Sequence, residues 1–262
     1  SSNEWHVITD SIRGVTQQLF TNSTQADQTN FEFIKSFDSD GFTVGTANAT
    51  NQNNQTLASW NWKANGAGST NYDGSITSTV SANTTAGFSI VKYTGYGGVS
   101  TVGHGLGVAP NLIINKNFES GSTSWFVGLI DWTKRLKLEG TNTWDANTVW
   151  NNTAPTNQVF SLNGTNANSS GQDYIAYCFA EKTGYSKFGT YTGNGSSDGT
   201  FVFLGFKPAF VIAKKTNSTG NWVIVDNKRD GYNGANDTLQ ANVTDVESGG
   251  NRFDIYSNGF KA

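Results

Sequence analysis

An all-β fold of the β-sandwich or jelly-roll kind, lectin-like in its modules, is what this sequence predicts. Three observations lead there. Charged residues make up 14% of the 262, Pro occurs 3 times and Met not at all, while Gly occurs 30 times, a balance that suits strands joined by turns better than long surface helices. Apolar residues alternate over short runs, and no stretch longer than about two turns keeps the 3.6-residue period of a helix. The chain also repeats itself at about 98 residues,.

The repeat is clearest at Tyr93 to Lys116, YTGYGGVSTVGHGLGVAPNLIINK, which returns as Tyr191 to Lys214, YTGNGSSDGTFVFLGFKPAFVIAK. Tyr93 to Tyr191, Pro110 to Pro208 and Lys116 to Lys214 are each 98 residues apart. A tryptophan strand follows each block, Trp125 to Asp131 and Trp222 to Asp226, with a basic residue three positions after each aspartate, Lys134 and Arg229. Trp5 to Asp10 followed by Arg13 opens the chain in the same way, and Ser39-Asp-Gly-Phe42 matches Ser257-Asn-Gly-Phe260. These landmarks divide the chain into a partial β-unit at 1–65, a linker or long connection at 66–87, a complete unit at 88–186 and a second partial unit at 187–262. That phase is expected of part of a longer polypeptide, or of a fold whose last unit pairs with the N-terminal part.

Taken in order, Trp5 to Ile8, Gln17 to Phe20 and Phe31 to Phe37 are expected as strands, the last with Phe31, Phe33 and Phe37 on one face,. Asp40-Gly41 supplies a hairpin signal,. Leu57 to Lys63 is expected as a strand with Trp60 and Trp62 on one side, as core in preference to an exposed platform, because large aromatics carry burial energy,. Ser75 to Ala86 holds enough Thr and Val for an edge strand within the connecting segment,. Phe88 to Thr94 alternates, and Pro110 introduces the strand Asn111 to Asn115, where its missing amide hydrogen disturbs no central ladder,. Trp125 to Trp132 with Lys134 to Leu138 reads as a hairpin, and Tyr174 to Glu181 as a buried strand that corresponds to Leu57 to Ala64. The last strands are expected at Phe201 to Gly205, Phe210 to Lys214, Trp222 to Val225 and Phe253 to Tyr256,.

Composition removes several functions. A net charge of -3 from 17 basic and 20 acidic residues, scattered without runs, gives no electrostatic footprint for nucleic acid,. No apolar stretch approaches the roughly 20 residues of a membrane span, so membrane insertion is not expected. One cysteine and two histidines cannot build an internal disulfide or a zinc site,, and no cofactor or metal is implied. Cys178 sits in an apolar strand as a small buried hydrophobe,. His104, although flanked by glycines, has no counterpart in the second block, and the Tyr-Thr-Gly-x-Gly segments lack the Gly-Lys-Ser/Thr of a phosphate loop,. Glycan cleavage would need two carboxylates facing one another. Of the candidates Asp131, Glu139, Asp145 and Asp226, the recurring Asp131 and Asp226 are expected to be structural, each paired with the basic residue three positions on. The chain is therefore expected not to be an enzyme.

Sugar-binding surfaces combine an aromatic face for the apolar side of a pyranose with amides and carboxylates for its hydroxyls. Two segments have that mixture: WDANTVWNNTAPTN from Trp144 to Asn157, and RDGYNGAN from Arg229 to Asn236. The candidate binding residues are Trp144, Trp150, Asn151, Asn152, Arg229, Asp230, Tyr232 and Asn233. The competing expectation for both segments is a packed loop with polar edges.

The strings Trp62-Lys-Ala-Asn-Gly-Ala-Gly68, Gly74 to Val91, Thr101 to Pro110, Val149-Trp-Asn-Asn-Thr-Ala-Pro155, Tyr174 to Glu181 and Gly184 to Gly195 resemble a family of tailed-bacteriophage virion proteins. That family is common in phages of marine bacteria, including those of cyanobacteria, and is described as tail-fibre or other structural protein. The resemblance covers about residues 60 to 262. It implies a virion location, most of all the tail, and a repeating β-domain near the C-terminal end of a longer protein, with no catalytic residues to carry over. Partners expected on that basis are a host cell-surface glycan or receptor, other virion proteins, and two further copies in a homotrimer. The alternatives are a capsid decoration or connector protein with an architectural role, and a polysaccharide depolymerase.

Overall fold

Alternating apolar and polar residues give short strands, and glycine or Asx turns end them. The computed structural model describes residues 4–229, 237–250 and 252–262. Strands β1 (Val7–Asp10) and β2 (Gly14–Phe20) form a hairpin extended by β3 (Gln28–Thr29), and β4 (Ile34–Phe37) and β5 (Phe42–Val44) form a second. After the four-residue helix α1 (Asn48–Asn51) come β6 (Ser69–Asn71), β7 (Ser78–Asn83), β8 (Phe88–Thr94), β9 (Ser100–Gly103) and β10 (Leu112–Asn117). Then follow β11 (Phe126–Leu129), β12 (Lys134–Lys137), β13 (Asp145–Ala146), β14 (Val159–Leu162), the short α2 (Thr165–Asn168) and β15 (Asp173–Phe179). The last strands are β16 (Phe201–Phe203), β17 (Phe210–Ala213), β18 (Val223–Asp226), β19 (Leu239–Gln240), β20 (Asp254–Tyr256) and β21 (Gly259–Lys261). The fold is all-β, as the alternation predicts.

An eight-stranded antiparallel sheet, ordered β13-β12-β11-β10-β15-β8-β7-β6, forms the central layer. Because side chains alternate across a strand, it feeds two cores. Val91, Tyr93, Ile113, Ala176 and Cys178 face Val102, Phe160, Leu162 and Trp150, so the β9–β14 pair covers this side. Ile90, Val127, Leu136, Ile175 and Tyr177 face Leu19, Trp222 and Ile224 on the other side, which the β1–β2–β3 and β17–β18–β19 sheets cover. A third, smaller core of Val211, Val225, Phe253 and Phe260 lies under the β16-β21-β20 sheet.

Three hairpins, β1–β2, β11–β12 and β18–β19, make the same contacts. Each sends one cross-strand pair into the shared core: Ile8 opposite Leu19, Val127 opposite Leu136, Ile224 opposite Leu239. An aromatic ring precedes each first strand, namely His6, Trp125 and Trp222. The backbone carbonyl of that residue accepts the amide of Thr21, Leu138 or Ala241. Its own amide donates to a side-chain oxygen of Asn22, Glu139 or Asn242. The ring N–H then reaches the end of a neighbouring hairpin. Trp125 Nε1 donates to the carbonyls of Phe20 and Ser23 at 3.0 and 3.1 Å, Trp222 Nε1 to that of Lys137 at 2.9 Å, and His6 Nε2 to that of Val243 at 2.8 Å. The three hairpins thereby close into a ring.

Lysines reinforce two of these joints. Lys116 Nζ donates to the carbonyls of Thr24, Asn117 and Ser120, and Lys214 Nζ to those of Thr141 and Lys215. Burial pushes the Lys116 ammonium down to about 8, against the pull of Glu139 and Asp27, which is the usual response of a desolvated amine.

Several expectations change. Residues 66–87, expected as a linker or long connection, contribute β6 and β7 to the central sheet, so that sheet runs through the expected boundary at 87/88. Leu57 to Lys63, expected as a strand, joins no ladder among the described residues. Trp60 packs against the second core, and Trp62, 44% exposed, lies edge-on between Phe179 and Phe210. Phe31 and Phe33 precede β4 instead of lying in it. His6, not Trp5, occupies the position of Trp125 and Trp222, while Trp5 packs edge-on against Phe20. The N-terminal hairpin and the last unit meet through His6 on Val243 and the Thr21 hydroxyl on the Ala241 carbonyl, and no strand ladder joins them among the described residues.

Candidate functional site

The segment from Trp144 to Asn157 places its two tryptophans differently. Trp150 is fully buried, its ring edge-on to Trp132 at 5.6 Å. The reason lies on β11, where a Cβ on Gly128 would collide with both rings, so the bare glycine opens their slot. A ring with no exposed face cannot stack on a sugar, and Trp150 is a core residue. Trp144 is half-buried against the second core, with Lys134 Nζ 5.1 Å from its ring centre. Asn151 and Asn152 hold φ of 52° and 49° in the turn after Trp150, a backbone that asparagine tolerates better than most residues,. Asn152 is exposed and Asn151 partly so. The structure therefore does not assemble Trp144, Trp150, Asn151 and Asn152 into one aromatic-amide face.

Arg229 belongs to a corner that occurs twice with the same bonds. Asp226 Oδ1 accepts the amides of Lys228 and Arg229, Oδ2 accepts Arg229 Nε at 2.7 Å, and Arg229 Nη2 donates to the Ile224 carbonyl. Asp10 and Arg13 do likewise with Ile12, Arg13 and Ile8. Each carboxylate takes one further donor from a neighbouring segment, Tyr177 Oη for Asp10 and Trp60 Nε1 for Asp226. Burial would raise the Asp226 carboxyl, but Arg229 and the two amides outweigh it and hold the group below its ordinary value. Arg229 also pairs with Glu247, so its donors are committed to the fold. Asp131 pairs with Lys134 at 2.9 Å in an exposed version of the corner. Thr133 and Lys134 hold its carboxyl down to about 2. The expected structural pairing of Asp131 and Asp226 with the basic residue three positions on is present. Asp230, Tyr232 and Asn233 lie outside the described residues.

Neither histidine is free for proton transfer. His104 Nδ1 accepts the Leu106 amide while Nε2 donates to the Thr156 carbonyl, which fixes a neutral tautomer. Burial lowers its pKa, against the Thr156 carbonyl and Asp73. Cys178 is fully buried, and burial pushes its thiol well up. Among the described residues no group of three metal-ligating side chains occurs, and no helix is long and apolar enough to cross a membrane.

The surface feature that stands out is the outer face of the β16-β21-β20 sheet. Register sets it: Val202, Phe260 and Ile255 lie side by side on one face, the first two in the third core and Ile255 buried, so Phe201, Phe203 and Tyr256 turn outward. Phe201, Phe203 and Tyr256 are 45%, 59% and 41% exposed. Phe201 meets Tyr256 edge-on at 5.9 Å, and its ring lies over Gly259, where a Cβ would run into the Val202 carbonyl. Lys187 Nζ stands 5.8 Å from the Phe203 ring centre, and Lys261 pairs with Asp198 at the rim. Rigid rings edged by charged groups on a strand scaffold can stack on the apolar face of a pyranose and bond its hydroxyls. Two shallow depressions lie elsewhere. One of about 390 Å³ is lined by Asn83, Thr85, Ala86 and Tyr185, and one of about 280 Å³ by Thr70, Thr79, Lys92 and neighbours. Neither lining includes a carboxylate.

The expected strand Phe201 to Gly205 contained this face without revealing it. The Phe-Val-Phe alternation shows that one side is aromatic, but which side meets solvent depends on Phe253, Ile255 and Phe260, some 50 residues later. No curated protein and no solved structure is detectably similar to the chain. A family model described as a domain of unknown function, DUF7483, matches residues 1–262, and the chain belongs to that family.

Proposed function

We propose that the chain is a non-enzymatic structural module of a bacteriophage virion, the distal part of a tail fibre that contacts a host-surface glycan as a homotrimer. The observation that carries the binding part is the exposed aromatic face of Phe201, Phe203 and Tyr256 on a rigid three-stranded sheet. The virion location rests on the sequence resemblance. A face of this kind binds a single saccharide weakly, and several copies on one particle raise the effective affinity without any new contact. An enzymatic reading finds less support, because the corner aspartates are taken up by basic partners and the histidines by backbone groups.

The test is binding of the chain, displayed multivalently on beads, to a panel of bacterial surface polysaccharides, with Phe203→Ala as the control. The expected result is retention of at least one polysaccharide and a loss of at least about tenfold in the variant, or about 1.4 kcal/mol. Thermal unfolding should show the variant folded, since surface substitutions usually stay within about 0.5 kcal/mol. No retention at high valency overturns the proposal and leaves the architectural role of a capsid decoration or connector. Release of oligosaccharide products would establish a depolymerase instead.

A further inference from the structure

The depression of about 390 Å³ lined by Asn83, Thr85, Ala86 and Tyr185 has an exposed aromatic ring within it and another to either side. Tyr185 itself is 60% exposed. On one side, Asn83 Nδ2 donates at 3.0 Å to the carbonyl of Lys63, the residue after the half-open Trp62. On the other, Lys187 follows Tyr185 by two residues, a span of at most about 7 Å, and its Nζ stands 5.8 Å from the Phe203 ring centre. Trp62, Tyr185 and Phe203 are therefore successive points on one track, which ends on the outer aromatic face. Three lysines accompany it. Lys63 and Lys187 are exposed, and a Cβ on Gly87, in the same turn as Thr85 and Ala86, would touch the Lys182 stem. Among the described residues none of the three is paired with a carboxylate, whereas Lys35, Lys92, Lys134 and Lys261 all are. Glu181, next to Lys182 in the chain, instead accepts the Phe188 amide at 3.0 Å.

We infer that this depression is a second saccharide subsite, and that the glycan running from it to the aromatic face is an acidic polysaccharide whose uronate carboxylates pair with Lys63, Lys182 and Lys187. The aromatic rings take the apolar faces of the sugars, and the Thr85 hydroxyl in the lining can both donate to and accept from theirs,. Charge selects the polymer: in a chain of net charge -3 these unpaired lysines form a local positive excess, which draws an anionic ligand. Three cations spread along the track match intermittent carboxylates. A nucleic acid strand, charged at every residue, calls for a continuous basic groove instead. This inference rests on the glycan reading and extends its site.

The experiment repeats the bead assay on the intact chain with each polysaccharide before and after chemical reduction of its uronate carboxyls to alcohols. The retained polysaccharides should carry uronates, and reduction should weaken their retention at least about tenfold. Tyr185→Ala, and separately Lys63→Gln combined with Lys187→Gln, should each lose at least about tenfold on the unreduced polymer. The lysine variant should bind the reduced polymer as the parent does. All three positions are exposed, so thermal unfolding should show both variants folded. Retention confined to neutral polysaccharides overturns the inference and leaves the glycan reading standing. So does retention of a uronate polymer that Phe203→Ala abolishes while Tyr185→Ala and the lysine variant leave it unchanged. Equal retention of single-stranded DNA also overturns it, by reducing the lysines to charge alone. No retention of any polysaccharide overturns both.

Discussion

The β9–β14 pair and the β16–β21 pair share an inward face and differ in the outward one. Val102 opposite Phe160 and Val202 opposite Phe260 wall their cores in the same register. Outward, β9 carries Thr101 and Gly103, and the segment before β7 lies over them. The Ser75 amide donates to the Thr101 hydroxyl, Ile76 bridges to Val102, and Asn71 fills the space beside Gly103. The places of Thr101 and Gly103 are taken in β16 by Phe201 and Phe203, which stay 45% and 59% exposed. One ladder geometry thus serves once as a closed wall and once as a platform. The inward residues keep the shape, and the residues between them decide what meets solvent.

The strongest way to break this comparison is to attack the inward residues. Phe160→Ala should cost about 3–5 kcal/mol, as removal of a fully buried phenylalanine does, and Phe260→Ala somewhat less, because its core is smaller and it retains 6% exposure. Urea unfolding of the two variants measures both. A Phe260→Ala cost no larger than that of Phe203→Ala would mean that the last sheet has no inward wall, and the comparison would fail.

A second substitution tests the covered side. Gly103→Phe gives β9 the residue of β16, and its Cβ would meet Asn71 and Asp73. Overpacking of this kind costs about 1–3 kcal/mol. The expected outcome is a lower unfolding midpoint together with faster exchange of amides at Asn71 to Ile76, as the covering segment is pushed off. An unchanged midpoint would show that this segment is loosely held, so that the difference between the two faces lies in the residues alone.

Much of this fold was legible locally. Phe88 to Thr94, the β11–β12 hairpin and the Asp-x-x-basic corners follow from alternation and spacing within a few residues, and the structure has them. What depends on distant partners was not. Trp150 has the local context of an exposed loop tryptophan, yet Gly128, 22 positions earlier, opens the slot that buries it. Ser78 to Asn83 reads as an edge strand within a connecting segment, and only its ladders with Phe88 to Tyr93 and with Ser69 to Asn71 show that it lies inside the central sheet. His6 was hidden by the tryptophan beside it, since only the carbonyl pairing with Thr21 shows which of the two rings faces the joint.

The last comparison concerns the residue that follows each strand, His104 after β9 and Leu204 after β16. His104 needs its neutral form, because Nδ1 accepts the Leu106 amide, and a proton there would leave that amide without its acceptor. Its folded pKa lies below the ordinary 6.5, so between the two values the unfolded chain binds more protons than the folded one. Stability is then full above about pH 6.5 and declines as pH falls through that window. His6, also lowered by burial against the carbonyls of Val243 and Gln240, acts in the same direction. His104→Leu places the residue of the last sheet in the middle one. At pH 8 it should cost about 0.5–1.5 kcal/mol for each of the two hydrogen bonds lost. Between pH 7 and pH 5 it should flatten the fall in stability, leaving the part that belongs to His6. Urea midpoints across that range measure the slope, and a slope unchanged by the substitution would show that His104 is not what makes the covered sheet sensitive to acid.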